Sequence, residues 1–118
     1  MSGAKKKLGG QGEAAAARYL EKQGYRIEAR NFRCRAGEID LVATKEGYLV
    51  FVEVKTRTAG GSLNPSLSVT RAKQAKVRQV GEVFCSSHPW MVQQPRFDVI
   101  AVSMDGRLEE VEHLIDAF

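Results

Sequence analysis

The stretch Tyr48 to Thr56 constrains the fold of this 118-residue chain more than any other. Its middle, Val50 to Val54, shows little polar alternation until the strand nears its end. A strand of that kind is covered on both faces, so it belongs in the interior of a sheet. Upstream lies a second strand, about Glu38 to Thr44, and the connecting Lys45-Glu46-Gly47 is short and holds a glycine. Two strands so joined form a hairpin.

The other elements follow from pattern. Gln11 to Gln23 reads as a helix, because Ala14, Ala15, Ala16, Ala17 and Leu20 are good helix formers and Gly24 is placed to stop it. Tyr25 to Phe32 alternates as a strand, with Tyr25, Ile27 and Ala29 in phase. Thr58 to Ser68 holds Gly60, Gly61, Asn64 and Pro65 and reads as a mobile loop. A second helix covers about Thr70 to Ser86, with Val77, Val80 and Phe84 at helical spacing. Phe97 to Ser103 is a strand, Asp105-Gly106 a turn, and Leu108 to Phe118 a final strand or short helix. The order is α-β-β-β-α-β-β, an α/β chain with a central sheet flanked by helices. Residues 1–10, with Lys5, Lys6 and Lys7, read as a flexible basic N-terminus, and residues 11–118 as a single domain.

Charge narrows the class of partner. The net charge of +4 and pI of about 9.3 favour anionic partners without specifying one. Cys34 and Cys85 stand far apart, and His88 and His113 lie at no ligand-like spacing from them, so two reduced thiols are expected rather than structural zinc. No run is apolar enough to span a membrane, so a cytoplasmic protein without membrane contact is expected.

The chemistry gathers where strands end. Leu49, Phe51, Glu53, Lys55 and Arg57 share one face of the third strand, so an apolar face turns abruptly polar. On the second strand Glu38, Asp40 and Val42 share one face, with Ile39, Leu41 and Ala43 opposite. The hairpin sets Asp40 across from residues 51 to 53, which makes Asp40 and Glu53 neighbours. Two bare carboxylates about 4 Å apart repel by roughly 4 kcal/mol at an effective dielectric near 20. A hard divalent cation offsets that repulsion, and Lys55 offsets part of it.

Other charged residues admit two readings each. Glu13 shares a helix face with Ala16, Ala17 and Leu20, so it is either an acid over the site or a first-turn glutamate favoured by the helix dipole. Arg71, Lys73 and Lys76 open the second helix; Lys73 aligns with Val77, Val80 and Phe84 and so leans inward, with Gln74 at the border of that face. They form either a phosphate-binding helix start or an ordinary solvated face. Arg30, Arg33 and Arg35 make a second basic patch or a charged edge strand. Asp98, beside Arg96 in an apolar strand, is a buried polar group or a support for the site, and Trp90 a loop anchor or interface residue.

Gly37-Glu38-Ile39-Asp40-Leu41 followed by Phe51-Val52-Glu53-Val54-Lys55 resembles the PD-(D/E)XK nuclease signature. More narrowly, the chain resembles the YraN-like family of uncharacterised bacterial proteins, related to archaeal Holliday-junction resolvases. Gly12-Glu13 with the alanines after it, Ser68-Val69-Thr70 with Lys73-Gln74 and Lys76, Phe97-Asp98-Val99 and Ile115-Asp116-Ala117-Phe118 carry the resemblance along nearly the whole chain from Gly12. The resemblance implies a restriction-endonuclease-like fold with a central mixed sheet. It implies that Asp40, Glu53 and the carbonyl of Val54 hold Mg²⁺ or Mn²⁺, that Lys55 orients or activates water, and that Glu13 and Gln74 assist. It also implies DNA as the partner, branched DNA in particular, gripped by Arg33, Arg35, Arg57, Arg71, Lys73 and Lys76, and a homodimer. The proline that usually precedes the first metal-binding acid is replaced by Ile39, as in resolvase-like relatives.

Three functions are therefore in contention: a metal-dependent endonuclease, a nucleic-acid-binding module without catalysis, and a structural protein whose acids and lysines merely pair. Metal-dependent cleavage separates the first from the second, and salt-dependent DNA binding separates both from the third.

Overall fold

The structure is a computed structural model. It describes the backbone of residues 3–58, 69–105 and 108–118, and within these every side chain except those of residues 3–9, 57, 58, 105 and 108. The elements run α1 (Gly3–Lys22), β1 (Arg26–Cys34), β2 (Gly37–Lys45), β3 (Tyr48–Thr58), α2 (Arg71–Ser87), β4 (Gln94–Asp105) and β5 (Leu108–Leu114). This is the expected order, and the terminal element is the strand of the two alternatives. The expected loop over Thr58 to Ser68 lies outside the described residues beyond Thr58, as does Gly106 of the expected turn.

The five strands lie in the order β1-β2-β3-β4-β5. Three pairings are antiparallel, while β3 and β4 run parallel, with α2 in the crossover between them. The sheet is therefore mixed, and β3 is its central strand. Its apolar run is explained by the two cores it feeds. Val50 and Val52 pack with Leu41, Ala43, Ile100, Val102 and the α1 residues Ala15, Ala16, Ala17 and Leu20. Leu49 and Phe51 pack on the opposite face with Ile39, Val42 and the α2 residues Val77, Val80 and Phe84.

Helix α1 begins at Gly3, well before the expected Gln11. Gly9, Gly10 and Gly12 lower local propensity and mask an extension that the residues on either side sustain. Its end is as expected. Gly24 adopts φ +94°, its N–H donates to Glu21 O at 3.1 Å, and the N–H of Tyr25 donates to Leu20 O at 2.9 Å. These are the two bonds of a Schellman stop, closed by apolar contact between Tyr25 and Leu20. Gly12 meets β3 so closely that a Cβ there would overlap Thr56 Oγ1 and lie 2.9 Å from Thr56 Cβ. Helix α2 is capped by Thr70, whose hydroxyl accepts from the N–H of Lys73 at 3.1 Å.

Strict alternation fails at two places. The β1–β2 register shifts between Ile27 and Ala29, so Ile27 faces the α1 core while Ala29 faces the α2 core. On β2, Ile39 and Val42 share the α2 core while Leu41 and Ala43 face α1, so the alternation expected from Glu38 to Ala43 is broken near Asp40. The cause lies across the ladder. Arg30 pairs with Leu41 and Phe32 with Ile39, which leaves Asn31 opposite Asp40, and Asn31 has φ +53°. That left-handed residue interrupts the pleat and turns Asp40 out of its expected phase.

Candidate functional site

Charged groups are scarce in the interior. Among the described residues only Glu53 and Asp98 are buried charged side chains, and the two are treated very differently. Asp98, on β4, is saturated. Arg96 donates to both of its oxygens at 2.9 and 2.8 Å, His113 Nε2 lies 2.7 Å away, and the N–H of Asp116 donates at 3.0 Å. Tyr25 and Tyr19 extend the network through Arg96 and His113. Burial alone would raise Asp98, but the bonds from His113, Arg96 and Asp116 outweigh it and hold the carboxyl below its usual range. Asp98 is thus a structural tie between β4, β5 and the C-terminal turn.

Glu53 has no such company. It is 7% exposed, and its carboxylate meets Lys73 Nζ at 3.4 Å and Lys55 Nζ at 4.0 Å. The β2–β3 register, with Leu41 against Val52, brings Asp40 beside Glu53 one step on. The ladder ends at that Leu41–Val52 pair, and the next N–H of β3 facing β2, that of Val54, donates instead to Asp40 Oδ2 at 2.8 Å. The two strands part there while β3 runs on beside β4 to Thr58, and a side-chain carboxylate fills the opening.

Electrostatics bind these groups into one cluster. Burial raises the carboxyl of Glu53, and the charge of Asp40 raises it further against the pull of Lys73 and Lys55. Burial also raises Asp40, opposed by its bond from Val54 and aided by Glu38. Glu13 on α1 is raised by burial and then by Asp40, against a lowering influence of the Asn31 side chain. Asp40 thus stands between two further acids, Glu13 of α1 and Glu53 of β3, beside the middle of the central strand where its pairing with β2 stops.

The remaining expected residues divide. Lys55 faces Glu53 as expected. Lys73, expected on phosphate, is instead the cation nearer to Glu53. The Gln74 amide donates to Val69 O at 3.1 Å and so ties down the start of α2. Arg71 and Lys76 are exposed, as are Arg33 and Arg35, with Arg33 paired to Glu38 at 2.8 Å. The side chain of Arg57 lies outside the described residues. Asn31 escaped the sequence reading. Its signal was an asparagine, a residue that tolerates left-handed backbone, inside a strand.

The donor set suits a hard cation. The buried carboxylate of Glu53 and the half-buried one of Asp40, both with raised pKa, supply oxygen ligands, and the lysines nearby stop short of a tight pair. Among the described residues no three Asp, Glu, His or Cys side chains form a metal cage by themselves. An ion here would take two carboxylates and complete its shell with main-chain carbonyl and water.

Comparison with known proteins fixes the lineage. The family described as "Uncharacterised protein family UPF0102" matches residues 12–102. The chain belongs to the UPF0102 family. A UPF0102 protein of Caldanaerobacter subterraneus subsp. tengcongensis is 44% identical over 117 residues, covering 97% of this chain and 96% of the relative. One from Geobacter metallireducens is 43% identical over 118 residues, covering 100% and 97%. The relatives thus match over essentially full length, and the UPF0102 match spans every acid of the cluster, from Glu13 to Glu53. Among the described residues of this UPF0102 chain, no helix is long and apolar enough to cross a membrane.

Proposed function

We propose that this protein is a divalent-metal-dependent endonuclease acting on DNA, with branched DNA as its preferred substrate. One observation carries the reading: Glu53, buried beside Asp40, lacks the saturating donors that Asp98 enjoys, and its cations stand off at 3.4 and 4.0 Å. Unmatched buried carboxylates persist where they serve a ligand.

Asp40, Glu53 and the Val54 carbonyl would hold Mg²⁺ or Mn²⁺. Such an ion lowers the pKa of water and neutralises charge on a phosphodiester under attack. Lys55, 33% exposed at the mouth of the site, offers an ammonium to the attacking water or a non-bridging oxygen. Glu13 adds a third acid beside Asp40, its carboxyl raised by burial and by the charge of Asp40, and on this reading assists the metal-holding pair. Gln74 acts indirectly, by fixing the helix that carries Lys73. Arg71 and Lys76 grip the backbone on one side and Arg33 and Arg35 on the other. On this reading two copies would cut the two strands of a junction.

The test is cleavage of four-way-junction, flap and single-stranded DNA with Mn²⁺ and with EDTA. Metal-dependent cutting that Glu53→Gln abolishes is the expected result. No cutting of any substrate, with DNA still bound, moves the protein to a second reading: a nucleic-acid-binding module that uses the exposed basic residues alone.

A further inference from the structure

The sequence places Lys73 among residues that touch phosphate, yet its ammonium lies on Glu53 at 3.4 Å, closer than that of Lys55. The two lysines are mounted differently. Lys55 sits on the central strand two residues beyond Glu53, on the same face, and is the less exposed of the pair. Lys73 reaches across from the first turn of α2, with its side chain 43% exposed. Its main chain is pinned, since its N–H donates to Thr70 Oγ1 and the neighbouring Gln74 side chain holds Val69. Only the flexible stem and ammonium are free to move, and they have solvent to move into.

A divalent cation bound by Asp40 and Glu53 would compete with that ammonium for the same oxygens. A divalent ion brought to an oxygen that already has two ammonium groups near it adds strong repulsion, relieved most readily by the more exposed of the two, Lys73. We propose that Lys73 is the resident counter-ion of Glu53, displaced when a divalent cation binds and thereby delivered to a phosphate of the DNA. The proposal rests on Asp40 and Glu53 being a cation-binding pair. It adds that metal loading creates a DNA contact that the metal-free protein lacks. Metal and DNA then strengthen each other's binding through one side chain, and by linkage the factor is the same in both directions.

Lys73 differs in this from Lys76, one turn further along α2 and exposed. Lys76 pairs with no acid among the described residues and contributes its charge to DNA whether or not metal is bound. The test compares the parent with Lys73→Met and Lys76→Met, with Lys73→Gln as a second variant at the first position. Mn²⁺ affinity is measured without DNA by titration calorimetry. Junction-DNA affinity is measured with and without Ca²⁺, used as a non-cleaving ion.

Removing Lys73 frees the carboxylate, so Lys73→Met and Lys73→Gln should bind Mn²⁺ about tenfold more tightly than the parent, a difference of about 1.4 kcal/mol. Lys76→Met should match the parent. In DNA binding, Lys76→Met should weaken affinity equally with and without Ca²⁺, whereas the Lys73 variants should weaken it only with Ca²⁺. Equal or weaker Mn²⁺ binding by both Lys73 variants overturns the proposal while leaving the metal site standing. Absence of Mn²⁺ binding by the parent removes the site itself, which is a distinguishable result.

Discussion

Replacing Asp98 by alanine should rank among the costliest single changes away from the candidate site. The carboxylate is fully buried and receives Arg96 twice, His113 once and the N–H of Asp116. The variant leaves a guanidinium that is 12% exposed and an imidazole that is 5% exposed facing a hole. Breaking a buried pair by removing one partner costs about 3–5 kcal/mol. A domain of this length is stable by roughly 6–18 kcal/mol, so a third or more of that margin can disappear. The melting temperature should drop by about 12–20 °C. The effect should also depend on pH. Asp98 is held below its usual value of 3.8, so its stabilisation is complete above that value and vanishes as pH falls through the lower folded-state value. Urea unfolding of parent and Asp98→Ala at pH 7 and in strong acid measures both. A difference under about 1 kcal/mol at pH 7, or one that persists undiminished in strong acid, refutes the reasoning. At pH 7 the Mn²⁺ affinity of Asp98→Ala should equal that of the parent, because none of these partners belongs to the acid cluster.

Glu53→Gln should act in the opposite sense. Glu53 is raised above 4.5 by burial and by Asp40, so folding favours its protonated form and the parent loses stability as pH rises from 4.5 through the higher folded-state value; denaturant titrations from pH 4 to 8 should show that slope in the parent and a flatter one in the variant. Saturating Mn²⁺ at about a hundred times its dissociation constant should restore roughly 2.7 kcal/mol to the parent and nothing to Glu53→Gln, read as a thermal shift. Gly12→Ala should destabilise by about 1–3 kcal/mol through overpacking against Thr56, with Thr56→Ala recovering part of the loss in a double-mutant cycle. Phe84→Ala, which removes a fully buried ring packed against Phe51 and Phe32, should cost about 3–5 kcal/mol by denaturant unfolding.

The parts of this fold legible in the sequence were those set by local spacing. The short connection, three residues as read and two in the structure because Lys45 pairs with Tyr48, fixed the hairpin register closely enough to set Asp40 beside Glu53, and the period of Val77, Val80 and Phe84 fixed which side of α2 is buried. The apolar run of β3 announced a central strand. What could not be read depends on contacts across the chain. The breaks at Ile27–Ala29 and around Asp40 arise from how β1 and β2 accommodate each other, with Asn31 in a left-handed conformation that asparagine permits but does not demand. Spacing along α2 put Lys73 on the inward side with Val77, Val80 and Phe84, but its landing on Glu53 depends on how α2 docks against the sheet. The early start of α1 was hidden by glycines that weaken a helix without forbidding it.

One of those glycines has a further effect. Glu13 follows Gly12 directly, and Gly12 rests on Thr56 of the strand that also bears Glu53 and Lys55. The separation between the outer acid and the inner one is therefore gauged by a single missing carbon. Lengthening that spacer by one methyl would lift the first helix like a shim under a hinge, and the acid it carries would be withdrawn from its neighbours before any chemical group had been altered.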